Sequence, residues 1–214
     1  MDEVRAALKK AIEDGVAKEA ARAVQQALDA GADPGAILRD VMVPAMDEVG
    51  RRYECGDYFL PEMLISARAM KEALALLRPR LVATDVKPAG TVVAGTVKGD
   101  LHDIGKNLVC MMLEGAGFEV RDLGVDVAPE KFVDAVKGGG VNLLALSALL
   151  TTTLPSMKVT IEQLKEVGLR DKVGVMVGGA PVNQKLATDI GADGYAEDAA
   201  GAVALARRLV GATA

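Results

Sequence analysis

Asp100 and His102 lie two residues apart in the segment Gly99-Asp100-Leu101-His102-Asp103-Ile104-Gly105-Lys106-Asn107, and His102 is the single histidine of a 214-residue chain. A carboxylate at that spacing can accept the Nδ1 proton of the imidazole, fix its tautomer and leave the Nε2 lone pair free for a metal. A loop histidine capping a helix would leave the same local pattern, so the pair by itself keeps both readings open. Cys55 and Cys110 are far apart and match neither a disulfide framework nor a paired-cysteine metal motif, so reduced thiols in a cytoplasmic protein are expected. One histidine and two scattered cysteines make a closed zinc site of four protein ligands hard to assemble. A metal held by His102 would arrive with most of its ligands already attached.

The surrounding elements decide where this pair sits. An apolar run at 91–97 ends just before it, and a helical pattern at 104–114 begins within it. That is the carboxyl end of a strand entering a helix, the edge on which open α/β sheets bind ligands. Further strand-length apolar runs at 119–123, 143–146 and 173–177, with a weaker one at 194–195, alternate with helical patterns at 129–137, 154–166, 183–190 and 199–209. This rhythm predicts an α/β fold, a doubly wound, flavodoxin-like parallel sheet of five strands. Two more segments then fall at strand ends: Ser147-Ala148-Leu149-Leu150-Thr151-Thr152-Thr153 after the third, and Gly178-Gly179-Ala180-Pro181 after the fourth. Parallel strands end on one rim, so the three segments can line a single crevice. Taken singly, the glycines read equally as ordinary turns and the hydroxyls as strand-end caps.

Residues 1–82 carry a different period. Val4, Leu8 and Ile12 repeat at helical spacing, with Gly15 as a stop, and a second helix over 18–30 ends at Gly31. Asp33-Pro34 reads as an N-cap and first helical residue, opening a third helix with Ile37, Val41 and Val49. Pro44 should kink or break that helix. After a Gly56-Asp57 turn, Pro61 opens a fourth, on which Met63, Ala67, Met70, Leu74 and Leu77 share one face. Four short helices predict an antiparallel bundle over 1–82, followed by a linker at 83–90 and the α/β domain over 91–214.

Composition removes other classes. Thirty acidic residues against 25 basic ones give a net charge of −5, where a nucleic-acid footprint needs a basic face. Three Tyr, three Phe and no Trp offer little surface for stacking bases. No apolar run approaches the roughly 20 residues that span a bilayer. The charged, periodic start Met1-Asp2-Glu3-Val4-Arg5 lacks a signal-peptide core.

Together, Asp100-x-His102-x-x-Gly105, Ser147-x-Leu149 and Gly178-Gly179 resemble the signature of the cobalamin-binding domain of corrinoid proteins. The resemblance covers the whole chain. A helical bundle ahead of such a domain is similar to the small corrinoid proteins of methyltransferase systems for methanol, methylamines or methoxylated aromatics, and to the B12-binding module of cobalamin-dependent methionine synthase. It implies a Rossmann-like domain holding cobalamin or a related corrinoid (methylcobalamin when loaded). His102 would be the lower cobalt ligand in place of the cofactor's own base, the base-off, His-on mode. Asp100 would hold its tautomer. Thr153, where relatives carry serine, would complete the hydrogen-bonded relay. Asp103 and Ile104 belong to the same cofactor-binding loop. Ser147 and Thr151 would bond the displaced nucleotide base, with Leu149 beside it, and Gly105, Gly178 and Gly179 would let the nucleotide tail approach the backbone. Segments 56–63 and 66–70 resemble the part of the bundle that caps the corrin. Phe59, Leu60, Met63 and Met70 read mainly as bundle core, with one or two facing the corrin. Lys106 and Asn107 read as helix surface, and Glu197-Asp198 as the cap of the last helix.

The function so implied is a methyl carrier, shuttling a methyl group between a substrate-specific methyltransferase and an acceptor methyltransferase that uses coenzyme M or tetrahydrofolate. A reductive activator is a further expected partner, and no activity is expected without partners. No nucleic-acid or membrane partner is expected. Two other readings share the motif: a cobalamin-dependent sensor or regulator, which would pair it with a DNA-binding module, and the cobalamin subunit of a mutase, which pairs it with a barrel.

Overall fold

The computed structural model describes residues 1–84 and 86–211. Asp85 of the expected linker and 212–214 of the expected second domain lie outside the described residues. The chain divides into two compact units, Met1–Pro88 with Glu114–Gly117, and Ala89–Leu113 with the residues from Phe118 onward.

The first unit is helical: α1 (Asp2–Glu13), α2 (Ala17–Asp29), α3 (Pro34–Ile37), α4 (Val43–Glu54) and α5 (Leu60–Ala83). Asp33 caps α3 by accepting from the Ala36 N–H at 2.8 Å, with Pro34 in the first turn. The break expected at Pro44 does not occur. A π turn, Leu38–Met42, carries α3 into α4, and the chain stays helical through the proline. A wider turn is one way to accommodate a proline ring and its missing N–H without ending the helix. Nor are all the helices short. α5 has 24 residues and takes in Ala83, the first residue of the expected linker. Its stripe of Met63, Ala67, Met70, Leu74 and Leu77 is buried, and α5 packs against α2, whose buried residues are the small Ala20, Ala23, Val24 and Ala27. Met63 and Met70 are therefore core. Phe59, 67% exposed, and Leu60 are not, which corrects their reading as bundle core.

The second unit alternates strictly: β1 (Thr91–Thr96), α6 (Ile104–Gly115), β2 (Glu119–Asp122), α7 (Pro129–Lys137), β3 (Leu143–Ser147), α8 (Leu154–Glu166), β4 (Gly174–Gly178), α9 (Gln184–Ile190), β5 (Gly194–Tyr195) and α10 (Ala199–Leu209). All pairings are parallel and the order is β2-β1-β3-β4-β5, the expected flavodoxin-like sheet. Strand order reverses between β1 and β3, and ligands of such sheets bind outside the carboxyl ends at that switch point. Register sets Thr96, Ser147 and Gly178 abreast, so β1, β3 and β4 end level on one rim. Below the rim, Val93, Leu144, Leu146, Val175 and Val177 pack with Phe132, Met157, Ile161 and Leu164. Phe132 fits because Gly95 has no side chain; a Cβ there would stand 2.8 Å from the ring. Burying that ring contributes about 2–3 kcal/mol, enough to anchor α7 on the sheet. Among the described residues, no helix is long and apolar enough to cross a membrane.

Candidate functional site

The β1–α6 loop turns as soon as the strand ends. The Asp100 N–H donates to Val97 O at 3.1 Å, and the buried Thr96 hydroxyl donates to His102 O at 2.9 Å, so the strand holds the loop at both ends of the motif. Asp100 is fully buried. Its Oδ1 accepts from His102 Nδ1 at 2.7 Å and from the His102 N–H at 3.1 Å. Its Oδ2 accepts from the Leu149 N–H at 2.8 Å, the Leu150 N–H at 3.1 Å and the Thr153 hydroxyl at 2.8 Å. Burial opposes the charge, but the donors from Leu149, His102 and Thr153 outweigh it and hold this carboxyl well below the usual carboxylate range. An ionised carboxylate only accepts, so Nδ1 carries a proton, and in the neutral ring the lone pair is therefore on Nε2. The ring is half exposed, and among the described residues Nε2 has no protein partner.

Thr153 occupies the N-cap position of α8 without capping it. Its oxygen lies 2.8 Å from both Asp100 Oδ2 and Leu150 O, and its one proton serves the stronger, charged acceptor. The three residues expected to form a relay thus meet. Leu149 and Leu150 contribute backbone N–H groups while their side chains stay exposed, and the side chains of Leu101 in the loop and Ile104 at the start of α6 are exposed as well. The two loops that meet at Asp100 thus also carry exposed apolar side chains.

Ser147 ends β3 and Thr151 lies in the following turn, and neither hydroxyl has a protein partner among the described residues. The common reason expected for the three glycines divides. Gly179 has φ +127°, and a Cβ on it would stand 1.9 Å from Ala148 O, so the protein itself demands glycine there. A Cβ on Gly178 would meet Ala196 O at 3.2 Å, a tight approach. At Gly105 a Cβ would meet nothing within 4 Å, so no protein packing requires glycine at that point.

Two residues read differently from sequence. Lys106 is buried, not on the helix surface: its ammonium pairs with Asp122 at the end of β2 and donates to Asn107 Oδ1 at 2.7 Å. That face of α6 lies against the sheet, and Asp122 supplies the charge that permits burial. Asn107 in turn donates from Nδ2 to Asp103 Oδ2 at 3.1 Å, closing the first turn of α6. Asp198 does cap α10, accepting from the Gly201 N–H at 2.7 Å. Asp126, in the β2–α7 loop, was not singled out from sequence. Its Oδ1 accepts from the Gly99 N–H at 2.7 Å, and its own N–H donates to Asp100 O at 2.9 Å. The available signal was Gly124-Val125-Asp126, a fourth strand-end segment on the same rim.

Among the described residues, no group of three His, Cys, Asp or Glu could hold a metal ion. One imidazole nitrogen on a rim whose loops carry exposed apolar side chains, with open backbone at Gly105, suits a metal whose other ligands come with a large, partly apolar ring. Two family models, each described as B12 binding domain, match residues 90–204 and 4–78. The chain belongs to the B12-binding corrinoid proteins of methyltransferase systems, and its cofactor is a cobalamin or related corrinoid. Trimethylamine corrinoid protein 1 of Methanosarcina acetivorans is 43% identical over 211 residues, 98% of each chain. Dimethylamine corrinoid protein 1 of Methanosarcina mazei is 46% identical over 83% of each. The crystal structure of the methanol:cobalamin methyltransferase complex MtaBC from Methanosarcina barkeri contains a chain 36% identical, with a TM-score of 0.88 over 99% of this chain and 81% of that one.

Proposed function

We propose that this protein is a methyl carrier that binds its corrinoid base-off, with His102 Nε2 as lower cobalt ligand, and moves a methyl group from a substrate-specific methyltransferase to an acceptor methyltransferase. The observation that carries the proposal is the fully buried Asp100 holding the Nδ1 proton of the only histidine and leaving Nε2 outward. When bound, the corrinoid supplies the cobalt that takes up and releases the methyl group.

The chain's own residues govern the ligand. Asp100 fixes the tautomer and strengthens the nitrogen as a donor. Whether or not His102 is on the metal, the carboxylate 2.7 Å from Nδ1 keeps the ring in place. Thr153 keeps its hydroxyl on Oδ2 throughout. The free hydroxyls of Ser147 and Thr151, with Leu149, receive the displaced nucleotide base. Asp103 and Ile104 shape the loop around His102. Gly105 leaves backbone open to the cofactor, while Gly178 and Gly179 fold the β4 loop that borders it.

Relatives named for dimethylamine and trimethylamine favour a methylamine as donor and a carrier over a sensor or mutase subunit. The acceptor is a thiol such as coenzyme M, or tetrahydrofolate, reached through the second methyltransferase, and a reductive activator restores the carrier after oxidation. The test uses the reconstituted, reduced protein with candidate methyltransferases and a panel of methylamines, methanol and methoxylated aromatics. A change in the corrinoid spectrum that needs both one donor and one methyltransferase is expected. No change with any pair would overturn the carrier assignment.

A further inference from the structure

The buried carboxylate behind His102 is held by two loops, and only one of them is accounted for by the relay. The β3–α8 loop grips the Asp100 side chain through Leu149, Leu150 and Thr153. The β2–α7 loop grips its backbone through Asp126. Asp126 Oδ1 accepts the Gly99 N–H at 2.7 Å and the Asp126 N–H donates to Asp100 O at 2.9 Å, so one residue closes on both ends of the Gly99–Asp100 unit. The neighbouring chain is tied down as well. Thr96 N–H donates to Gly124 O at 2.9 Å, Val127 N–H donates to Thr96 O at 2.9 Å, and Val97 bridges Val127. Asp126 does this at φ +51°, and it is the one described non-glycine residue with positive φ. A left-handed backbone at a residue with a side chain persists only where its surroundings impose it, and such residues gather at functional sites. Glycine would suit that backbone better but would lose the carboxylate, so the side chain has a use that offsets the strain.

We infer that Asp126 is a positioning residue: by clamping the Gly99–Asp100 backbone it sets where the Asp100 carboxylate stands, and hence how the His102 imidazole is presented to the corrinoid cobalt. The inference rests on the proposed role of His102 as lower ligand. Asp126 touches neither the imidazole nor Nε2, and it is exposed, so its carboxylate contributes little to folding. Its effect lies in geometry. Supporting residues of this kind commonly change metal affinity by about 10- to 100-fold when lost.

Three variants separate the contributions. Asp126→Asn keeps an acceptor and tolerates the left-handed backbone, Asp126→Gly keeps the backbone and removes the acceptor, and Asp126→Ala removes the acceptor and strains the backbone. Because the chain has one histidine, the imidazole resonances of the cofactor-free protein belong to His102 alone. The Nδ1–H signal, shifted downfield by Asp100, should persist in Asp126→Asn and broaden or move upfield in Asp126→Gly and Asp126→Ala. Cobalamin titration should show dissociation constants raised about tenfold in the last two, with Asp126→Asn close to the parent. Thermal unfolding of Asp126→Gly should match the parent. Unchanged imidazole signals in Asp126→Gly and Asp126→Ala would overturn the inference. So would an Asp126→Asn variant as impaired as Asp126→Ala. A spectrum of bound cobalamin unaltered by His102→Ala would instead overturn the ligand reading, whatever the cofactor-free spectra show.

Discussion

Replacing Asp100 with asparagine substitutes an amide NH2 for one carboxylate oxygen, and it should move a proton on His102. The new amide has two orientations. With its NH2 towards the β3–α8 loop, the Leu149 and Leu150 N–H groups, now 2.8 and 3.1 Å from an acceptor, would face a donor instead. At about 1–3 kcal/mol for each unsatisfied group, that orientation costs about 2–6 kcal/mol. With the NH2 towards His102, only the His102 N–H loses its acceptor, about 1–3 kcal/mol, and the ring can accept from the amide if its proton shifts to Nε2. The second orientation wins, and it removes the lone pair that would bind cobalt. Restoring that lone pair sets Nδ1–H against NH2, a further penalty of about 1–3 kcal/mol, or roughly 5- to 150-fold in affinity. Titrating the cofactor-free variant with cobalamin and following the absorption spectrum measures both quantities. Binding weakened by about tenfold or more, with the bound corrinoid lacking its protein nitrogen, is expected. Affinity within about twofold of the parent with an unchanged spectrum would refute the tautomer argument.

The two glycine motifs should separate by assay. Gly105→Ala meets no protein atom and should leave the unfolding midpoint unchanged while weakening cobalamin binding; Gly179→Ala must take φ +127° against Ala148 O and should lose at least about 2 kcal/mol in denaturant unfolding. Asp100 should also set the acid limit of the cofactor-free protein. Its folded carboxyl is more acidic than an unfolded aspartate, so its stabilisation is complete above the unfolded value near 4 and fades as pH falls below it. Urea midpoints should accordingly fall more steeply with acid in the parent than in Asp100→Asn; parallel curves would contradict the buried, ionised carboxylate. Thr153→Val keeps the shape and removes one donor from Asp100, with an expected loss of about 1–3 kcal/mol in denaturant unfolding, whereas Thr153→Ser should stay near the parent.

The local rules that make a strand or a helix were legible in the sequence, and so was the pair they carry to the rim. α7, α8 and α10 fall where the periodicity set them, and the two-residue spacing of Asp100 and His102 did bring a carboxylate to Nδ1. What escaped depended on neighbours distant in sequence. Lys106 sits on a helix whose pattern does not say which cation will find a buried partner; Asp122, on another strand, decides it. Asp126 matters through a bond to Gly99 and a backbone angle, and neither leaves a mark in residue spacing. The ordinary rule for helix interiors predicts a kink or break at Pro44, but the chain runs through it in a helix that follows a π turn ending two residues upstream. Phe59 belongs by hydrophobicity to a core, yet it stands at the entry to α5, beyond the reach of the buried stripe.

The central claim, that His102 ligates the cobalt of the bound corrinoid, can be tested with one isotope because this chain contains no other histidine. The protein is produced with its histidine labelled in nitrogen-15, loaded with cobalamin in the paramagnetic divalent state, and studied by electron paramagnetic resonance beside the unlabelled protein. Coordination by Nε2 predicts that the superhyperfine pattern changes from the triplet of a nitrogen-14 ligand to the doublet of nitrogen-15. A triplet that survives labelling would mean that the cofactor's own base remains on the metal, and the account built on Asp100, His102 and Thr153 would be wrong.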